Sequence, residues 1–153
     1  MSIVDGVYSL YAHRAVRPAA AWDRSLARLA LTGYPHPFWY RRNTSDIEII
    51  HQVLVRQEYA AALDDLTAGA SIVDCGANIG ASAFFFLSRI PGCHVLAVEP
   101  DPDNEEVCRR NLLPFGDRAV VVRAAIWSRR QALRVAAQGA ALPGGECALR
   151  VEP

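Results

Sequence analysis

Lysine is absent from this chain, and all 16 basic residues are arginine. That excludes a P-loop, whose lysine reaches the phosphates of a nucleotide. Net charge is absent as well: 16 basic residues balance 16 acidic ones, and the pI is near 6.9. A neutral chain offers no electrostatic footprint for nucleic acid or for an anionic membrane. No apolar run approaches the length of a membrane-spanning helix, and Asp5 interrupts the stretch where a signal peptide needs its apolar core. The four cysteines, Cys75, Cys93, Cys108 and Cys147, form no CxxC pair and have no histidine at ligand spacing. They read as reduced thiols rather than as metal ligands or disulfide partners. These absences point to a cytoplasmic protein with no metal site and no nucleic-acid or membrane partner.

What is present is the balance of a globular domain, with 52% hydrophobic and 21% charged residues over 153 positions. The N-terminal part, to about Leu31, reads as helix because Trp22, Leu26, Leu29 and Ala30 recur at three- and four-residue steps. Gly33, Pro35 and Pro37 break it, and Phe38 to Arg41 follows as a short aromatic strand. Ser45 and Glu48 have the spacing of a capping box that opens another helix, with Ile47, Ile50, Leu54 and Tyr59 as its buried face. After a turn at Thr67 to Ala70 the pattern becomes strand, helix, strand, helix, strand. The strands are Ser71 to Asp74, His94 to Glu99 and Ala119 to Ala124; the helices run from Gly80 to Ile90 and from Pro102 onward, the latter with Asp101 as N-cap. Such an order begins a doubly wound parallel α/β sheet. Leu133-Arg134-Val135 and Ala148-Leu149-Arg150-Val151 then read as a hairpin.

Chemistry concentrates in the turn after the first of these parallel strands, Asp74-Cys75-Gly76-Ala77-Asn78-Ile79-Gly80. A glycine turn before a helix lets the backbone approach a ligand, and many cofactors use that geometry. A dinucleotide fingerprint needs glycine at its second marked position for close approach of the pyrophosphate. Here that position is Asn78. Asp74, ending the strand, suits a cofactor that carries an amino group and a sulfonium and would repel a pyrophosphate. Glu99 ends the next strand, so both acids fall at the C-terminal edge of the sheet, where open α/β sheets bind ligands. A carboxylate placed there can accept hydrogen bonds from both ribose hydroxyls. The pattern indicates S-adenosylmethionine. The plainer alternative makes Asp74 a cap for the next helix and Glu99 a solvated strand end.

With IVDCGANIG, AVEPDPDN and RRNL, the sequence resembles the FkbM family of S-adenosylmethionine-dependent methyltransferases. RRNTSDIEIIHQVLVRQEY is similar to that family's N-terminal signature, and Ala124-Ala125-Ile126-Trp127 to its segment after the third strand. The resemblance implies a class I, Rossmann-like fold and methyl transfer to a hydroxyl on a sugar or natural product. It also implies that Asp74, Gly76, Ala77, Asn78 and Gly80 hold the methionine portion, Glu99 the ribose, and Pro100 and Asp101 the adenosine edge. Asn104 and Asn111 match family positions, Asn111 read as helix packing. Asp46 or Arg42 could face the cleft, whereas Ser45 is accounted for by capping and His51 by packing. No catalytic base is assigned.

The family's next feature, a fourth strand with a Lys-Ile-Asp-Ile-Glu-Gly type motif, does not occur before Pro153, and without lysine it cannot lie elsewhere. The expectation is therefore an N-terminal helical extension over residues 1–36 and a truncated cofactor-binding domain over 37–153. Its sheet is incomplete, so its partners would be a small hydroxyl acceptor and a second copy or complementing chain. Two further readings remain open: a cofactor-binding remnant without turnover, and a fragment of an NAD-type oxidoreductase.

Overall fold

The computed structural model describes residues 24–128, together with the backbone of two short strands near the C-terminus. Its first element is strand β1 (Leu26–Leu29), paired antiparallel with β2 (Phe38–Arg41) so that Leu29 lies opposite Phe38 and Leu26 opposite Arg41. This corrects the helical reading of Leu26 and Leu29. Three-residue spacing over so short a segment fits helix or strand, and the chain reversal decides between them. Gly33 takes a positive φ of 85° and, with Pro35 and Pro37, returns the chain so that β1 finds hydrogen-bonding partners in β2. Trp22 lies outside the described residues, as does Cys147.

Helix α1 (Asp46–Ile49) follows and widens into a π-helical turn over Ile50–Val55. Ile50 and Leu54 are buried as expected, but the helical turns end before Tyr59, which is 39% exposed. The expected capping box does not form. Ser45 has helical backbone angles (φ −69°, ψ −3°) and its side chain caps nothing, whereas a capping residue needs extended backbone to turn its oxygen onto the helix end. The Thr44 hydroxyl does the work instead, accepting the Asp46 N–H at 3.2 Å and donating to the Arg41 carbonyl at 2.9 Å.

The second unit matches its sequence pattern closely. Strands β3 (Ser71–Cys75), β4 (His94–Val98) and β5 (Ala119–Val122) form a parallel sheet with β4 in the middle. Helices α2 (Ala81–Arg89) and α3 (Pro102–Leu112) connect them, and Asp101 caps α3 by accepting the Asn104 N–H at 2.9 Å. Pro102 at the first helical position fits because its missing N–H would have no helical partner there. This is the α/β parallel architecture that the sequence order implied. Two further strands, β6 (Arg134–Val135) and β7 (Val151–Glu152), pair antiparallel, consistent with the hairpin expected there.

Alternation along the strands divides the sheet into two unlike faces. Val95, Ala97 and Val121 are buried beneath the helices. Val73, Leu96, Val120 and Val122 point the other way and are 38–59% exposed. Because Val73 is in register with Leu96, and Leu96 with Val120, these side chains form one apolar stripe across three strands.

The core lies on the covered face and joins the hairpin to the sheet unit. Phe84 of α2 is fully buried and meets Phe38 and Phe115 edge-on, with centroids 5.0 and 5.3 Å apart. Aromatic pairs favour this geometry, since the positive ring edge faces the negative ring face. Asn111 on α3 is also fully buried and serves β2 as a neighbouring strand would. Its Oδ1 accepts the Trp39 N–H at 2.6 Å, and its amide nitrogen donates to the carbonyls of Trp39 and Ile79 at 3.0 and 2.8 Å. Its packing role is therefore as the sequence suggested. Phe84→Ala is expected to destabilise the protein by about 3–5 kcal/mol through cavity formation and lost ring contacts; denaturant unfolding measures this, and a loss below about 1 kcal/mol would show that Phe84 does not centre the core.

Candidate functional site

The predicted site residues gather at the C-terminal end of β3 and β4. Between β3 and α2 the backbone turns through three left-handed residues, Gly76 (φ 85°), Asn78 (φ 51°) and Gly80 (φ 84°). Asparagine tolerates that conformation better than most side chains because its short amide bonds locally. Here the Asn78 Oδ1 accepts the Ile79 N–H at 2.8 Å.

Every backbone N–H from Gly76 to Gly80 donates within the protein. Those of Gly76 and Ala77 share the Val98 carbonyl at 2.8 and 3.0 Å, and that of Gly80 reaches the Ala77 carbonyl at 2.8 Å. The Asn78 N–H donates to Glu99 Oε2 at 2.7 Å. With Ile79 satisfied by Asn78, the turn has no amide left for an external anion. It is a glycine loop without an open phosphate nest.

Glu99 is 3% exposed, not a solvated strand end. Its Oε1 accepts the Asp101 N–H at 3.0 Å and faces the Asn104 amide nitrogen at 3.5 Å. The carboxylate thus bridges the glycine turn and the start of α3. A carboxylate oxygen has two acceptor positions, and Oε2 uses one.

Asp74 lies on the helix side of β3, half-buried, with its Oδ2 accepting the Ser82 hydroxyl at 2.6 Å. Burial raises its pKa above the ordinary 3.8, while hydrogen bonds from Ser82 and from the Ala83 backbone pull it partly back. Asp74 therefore does contact the first turn of α2, as the plainer alternative proposed. No arginine among the described residues pairs with it, so burial of the charge is offset by neutral donors alone.

The remaining predicted residues divide by exposure. Gly76 is exposed, and no atom lies within 4 Å of the place a Cβ would occupy, so the turn is open there. Pro100 and Asp101 are half-buried at the rim. Ala77 and Gly80 face inward. A Cβ on Gly80 would stand 2.9 Å from the Cys108 sulfur, so that glycine permits α3 to approach the turn. Burial, reinforced by the nearby Asp74 and Glu99 carboxylates, pushes the Cys108 thiol up to about 12. It is an inert, neutral packing group. Cys75, Cys93 and Cys108 are all free thiols.

One part of the site was not singled out from the sequence. Arg41 grips the buried Asp46 with its Nε at 3.0 Å and its Nη2 at 2.8 Å, and the Arg41 N–H adds a 2.8 Å bond to the same carboxylate. The Arg41 Nη2 also donates to Asn104 Oδ1 at 2.6 Å. Asp46 is thus turned to Arg41 rather than to the cleft, and Arg42 is exposed. The arginine and the Ser-Asp pair were visible in the sequence, but their pairing across a hairpin end was not.

Beyond Asp101 a shallow cavity of ≈ 630 Å³ is lined by Pro102, Asp103, Glu105, Glu106, Arg109 and Arg123. None of the glycine-turn residues lines it. Arg123, with Arg109, holds the Glu105 carboxyl below its ordinary range despite burial, so the acid is an anchor for both guanidiniums. Among the described residues there is no cluster of metal-ligating side chains, and no helix is long and apolar enough to cross a membrane.

Comparison with known proteins finds similarity to methyltransferases. The family profile described as "Methyltransferase FkbM domain" matches residues 74–142, slightly under half the chain. The ribosomal RNA small subunit methyltransferase H of Mycobacterium sp. (strain KMS) is 40% identical over 55 residues, covering 36% of this chain and 15% of that protein. The corresponding protein of Mycolicibacterium gilvum (strain PYR-GCK) is 34% identical over 71 residues, covering 46% and 19%. The chain thus spans less than a fifth of the length of these curated relatives. Among solved structures, the Escherichia coli protein yhhF, described as a methyltransferase, aligns with a TM-score of 0.48 at 20% identity over 65% of this chain and 53% of that one. A protein-L-isoaspartate O-methyltransferase aligns at 0.35 and 12% identity over 80% and 42%. Both structural likenesses are too loose to bear on function.

The contact between Gly80 and Cys108 yields a separable expectation. Gly80→Ala should cost about 2–4 kcal/mol, combining left-handed backbone strain with overpacking. In a Cys108→Ala background the same change should cost only the backbone part, about 1–2 kcal/mol. Equal costs in the two backgrounds, measured by denaturant unfolding, would remove the close approach as the reason for glycine.

Proposed function

The chain carries the FkbM methyltransferase signature over residues 74–142, and from that premise we propose that it binds S-adenosylmethionine at the turn from Asp74 to Gly80 and transfers its methyl group to a hydroxyl of a small sugar or natural-product acceptor. The observation that carries the cofactor reading is the closed turn. All its amides are used internally, which disfavours a pyrophosphate and so an NAD-type fragment. What the turn offers instead is open space at Gly76 and two carboxylates at its edges.

Those groups suit a cofactor with an amine, a sulfonium and a ribose diol. In this reading Asp74 stands beside the positive charges, which would relieve the burial of an acid that has no cationic partner among the described residues. The remaining acceptor position on Glu99 Oε2 receives a ribose hydroxyl, and Pro100 and Asp101 form the adenosine edge. Ala77 and Gly80 contribute through backbone and shape. When bound, the cofactor supplies an electrophilic methyl on a sulfonium. The chain's part is to orient it, so that an acceptor hydroxyl held in line needs only a base to remove its proton.

The relatives named for ribosomal RNA methylation raise RNA as a second acceptor class. Equal counts of acidic and basic residues give no net attraction to a phosphate backbone, and we therefore favour a small acceptor; we place the chain in the cytoplasm.

Calorimetry should detect S-adenosylhomocysteine binding to the wild-type protein and no binding of NADH; the reverse would overturn the reading. Transfer of a labelled methyl from S-adenosylmethionine across a panel of hydroxyl compounds and an RNA sample then tests the acceptor, and labelling of RNA alone would reject the small-molecule assignment.

Asp74 makes a sharper prediction. A carboxyl whose pKa is raised by folding favours the native state when protonated, so its contribution is fully present below 3.8 and is lost as pH rises through the higher folded value. Asp74→Asn should accordingly melt a few degrees above wild type at pH 7 without ligand, and the difference should shrink on acidification and vanish below pH 3.8. The same variant should lose at least about tenfold in S-adenosylhomocysteine affinity, a factor equal to 1.4 kcal/mol. Unchanged affinity would show that Asp74 only caps α2.

A further inference from the structure

The glycine turn does not stand alone: a chain of polar side chains joins it to the N-terminal hairpin. We propose that Arg41, held by Asp46 and acting through Asn104, is a positioning residue for Glu99. This rests on the reading of Glu99 as the ribose acceptor and extends it to the hairpin.

The argument starts from what each group can donate. Arginine has donors and no acceptor, so the Asn104 atom facing its Nη2 at 2.6 Å is fixed as the amide oxygen. The amide nitrogen is then forced to the opposite side, where it faces Glu99 Oε1 at 3.5 Å. A flipped amide would set a carbonyl against the Glu99 carboxylate and an NH2 against a guanidinium, losing both contacts. Arg41 is in turn fixed by the two side-chain bonds to Asp46, which is 1% exposed, while Asn104 is 7% and Glu99 3% exposed. In such poorly hydrated surroundings water is a weak substitute for a missing partner.

The Asn104 backbone is independently placed by its N–H bond to Asp101 Oδ1. Only the side-chain amide therefore depends on Arg41. With the Asp101 N–H and the Asn104 amide on one oxygen and the Asn78 N–H on the other, the Glu99 carboxylate is held by three donors, of which only the Asn104 amide is a side chain. The acceptor position left on Oε2 gains a fixed direction. Loss of Arg41 would free the amide to rotate and take one of the three donors from the carboxylate, loosening its orientation about the two backbone bonds that remain, without removing any group that touches the cofactor.

Asn104→Leu is the cleanest test, because it cuts the relay while leaving the Arg41–Asp46 pair and the α3 cap in place. A second variant, Arg41→Met with Asp46→Asn, removes the ion pair as a neutral set so that neither charge is left buried alone. Each is measured for S-adenosylhomocysteine affinity by calorimetry, alone and combined with Glu99→Gln, alongside its melting temperature.

We expect each relay variant to bind about 5–20-fold more weakly than wild type, and to change affinity less than twofold once Glu99→Gln is present. That non-additivity marks action through Glu99 and is not produced by general destabilisation. Wild-type affinity in a folded Asn104→Leu protein overturns the positioning role while leaving the cofactor reading intact. Equal losses with and without Glu99→Gln overturn it too, by showing a structural effect. Absence of binding by the wild-type protein itself overturns both.

Discussion

The structure around the glycine turn depends on one carboxylate accepting in two directions. Glu99 takes the Asn78 N–H on one oxygen and the Asp101 N–H on the other. The first bond belongs to the turn after β3 and the second to the entry of α3, so a single side chain at the end of β4 holds both connections. Hydrogen bonds to a charged acceptor are the stronger kind, and a buried donor left without one costs about 1–3 kcal/mol. The closed turn follows from this. Had Glu99 pointed to solvent, the Asn78 amide would be open to an anion, and the loop would be a general nucleotide cradle.

A second seam joins the hairpin to the sheet unit along one face of α3. Asn104 and Asn111 lie two helical turns apart and so share that face. Asn111 extends the hydrogen bonding of β2 at Trp39, and Asn104 meets Arg41 two residues further along the same strand. Next to Trp39, Phe38 enters the aromatic cluster around Phe84. The hairpin is thus fastened by two amides together with an apolar contact in which Leu31, Phe38 and Tyr40 join the buried core and Tyr34 packs on Phe84. One of those amides also faces Glu99, which places the site within reach of whatever disturbs the hairpin.

How much of this was legible depended on how local each feature is. β3, α2, β4, α3 and β5 each announce themselves through apolar runs, a proline at the first helical position, or glycines where the chain turns. The placement of Asp74 and Glu99 at one sheet edge follows from strand order alone. Leu26 and Leu29 misled because a four-residue segment has no period of its own, and its partner strand lies beyond a turn. Ser45 misled because the capping-box spacing says nothing about backbone angles, and here Thr44 reaches the helix end first. Arg41 was missed for the opposite reason: its bond to Asn104 joins residues far apart in sequence, and no local pattern encodes it. The FkbM resemblance, which the family profile also detects over residues 74–142, does not extend to this connection.

The two faces of the sheet show why the site is organised as it is. Strand alternation puts Asp74 on the side covered by α2, where the Ser82 hydroxyl and the helix start can solvate it, and Cys75 on the open side. An acid on the open face would keep its water and its ordinary pKa, and would gain little from a cationic ligand. On the covered face it is partly dehydrated with no counter-charge among the described residues, which is the condition under which a bound cation is worth most. Glu99 is buried for a different reason, since it satisfies backbone groups that would otherwise have no partner. The two acids therefore reach the same edge with opposite stability effects: Glu99 consolidates the fold, whereas burial of the charged Asp74 opposes it. The proposed cofactor would account for that asymmetry, because a cationic group beside Asp74 would offset a cost that a neutral residue at position 74 would avoid.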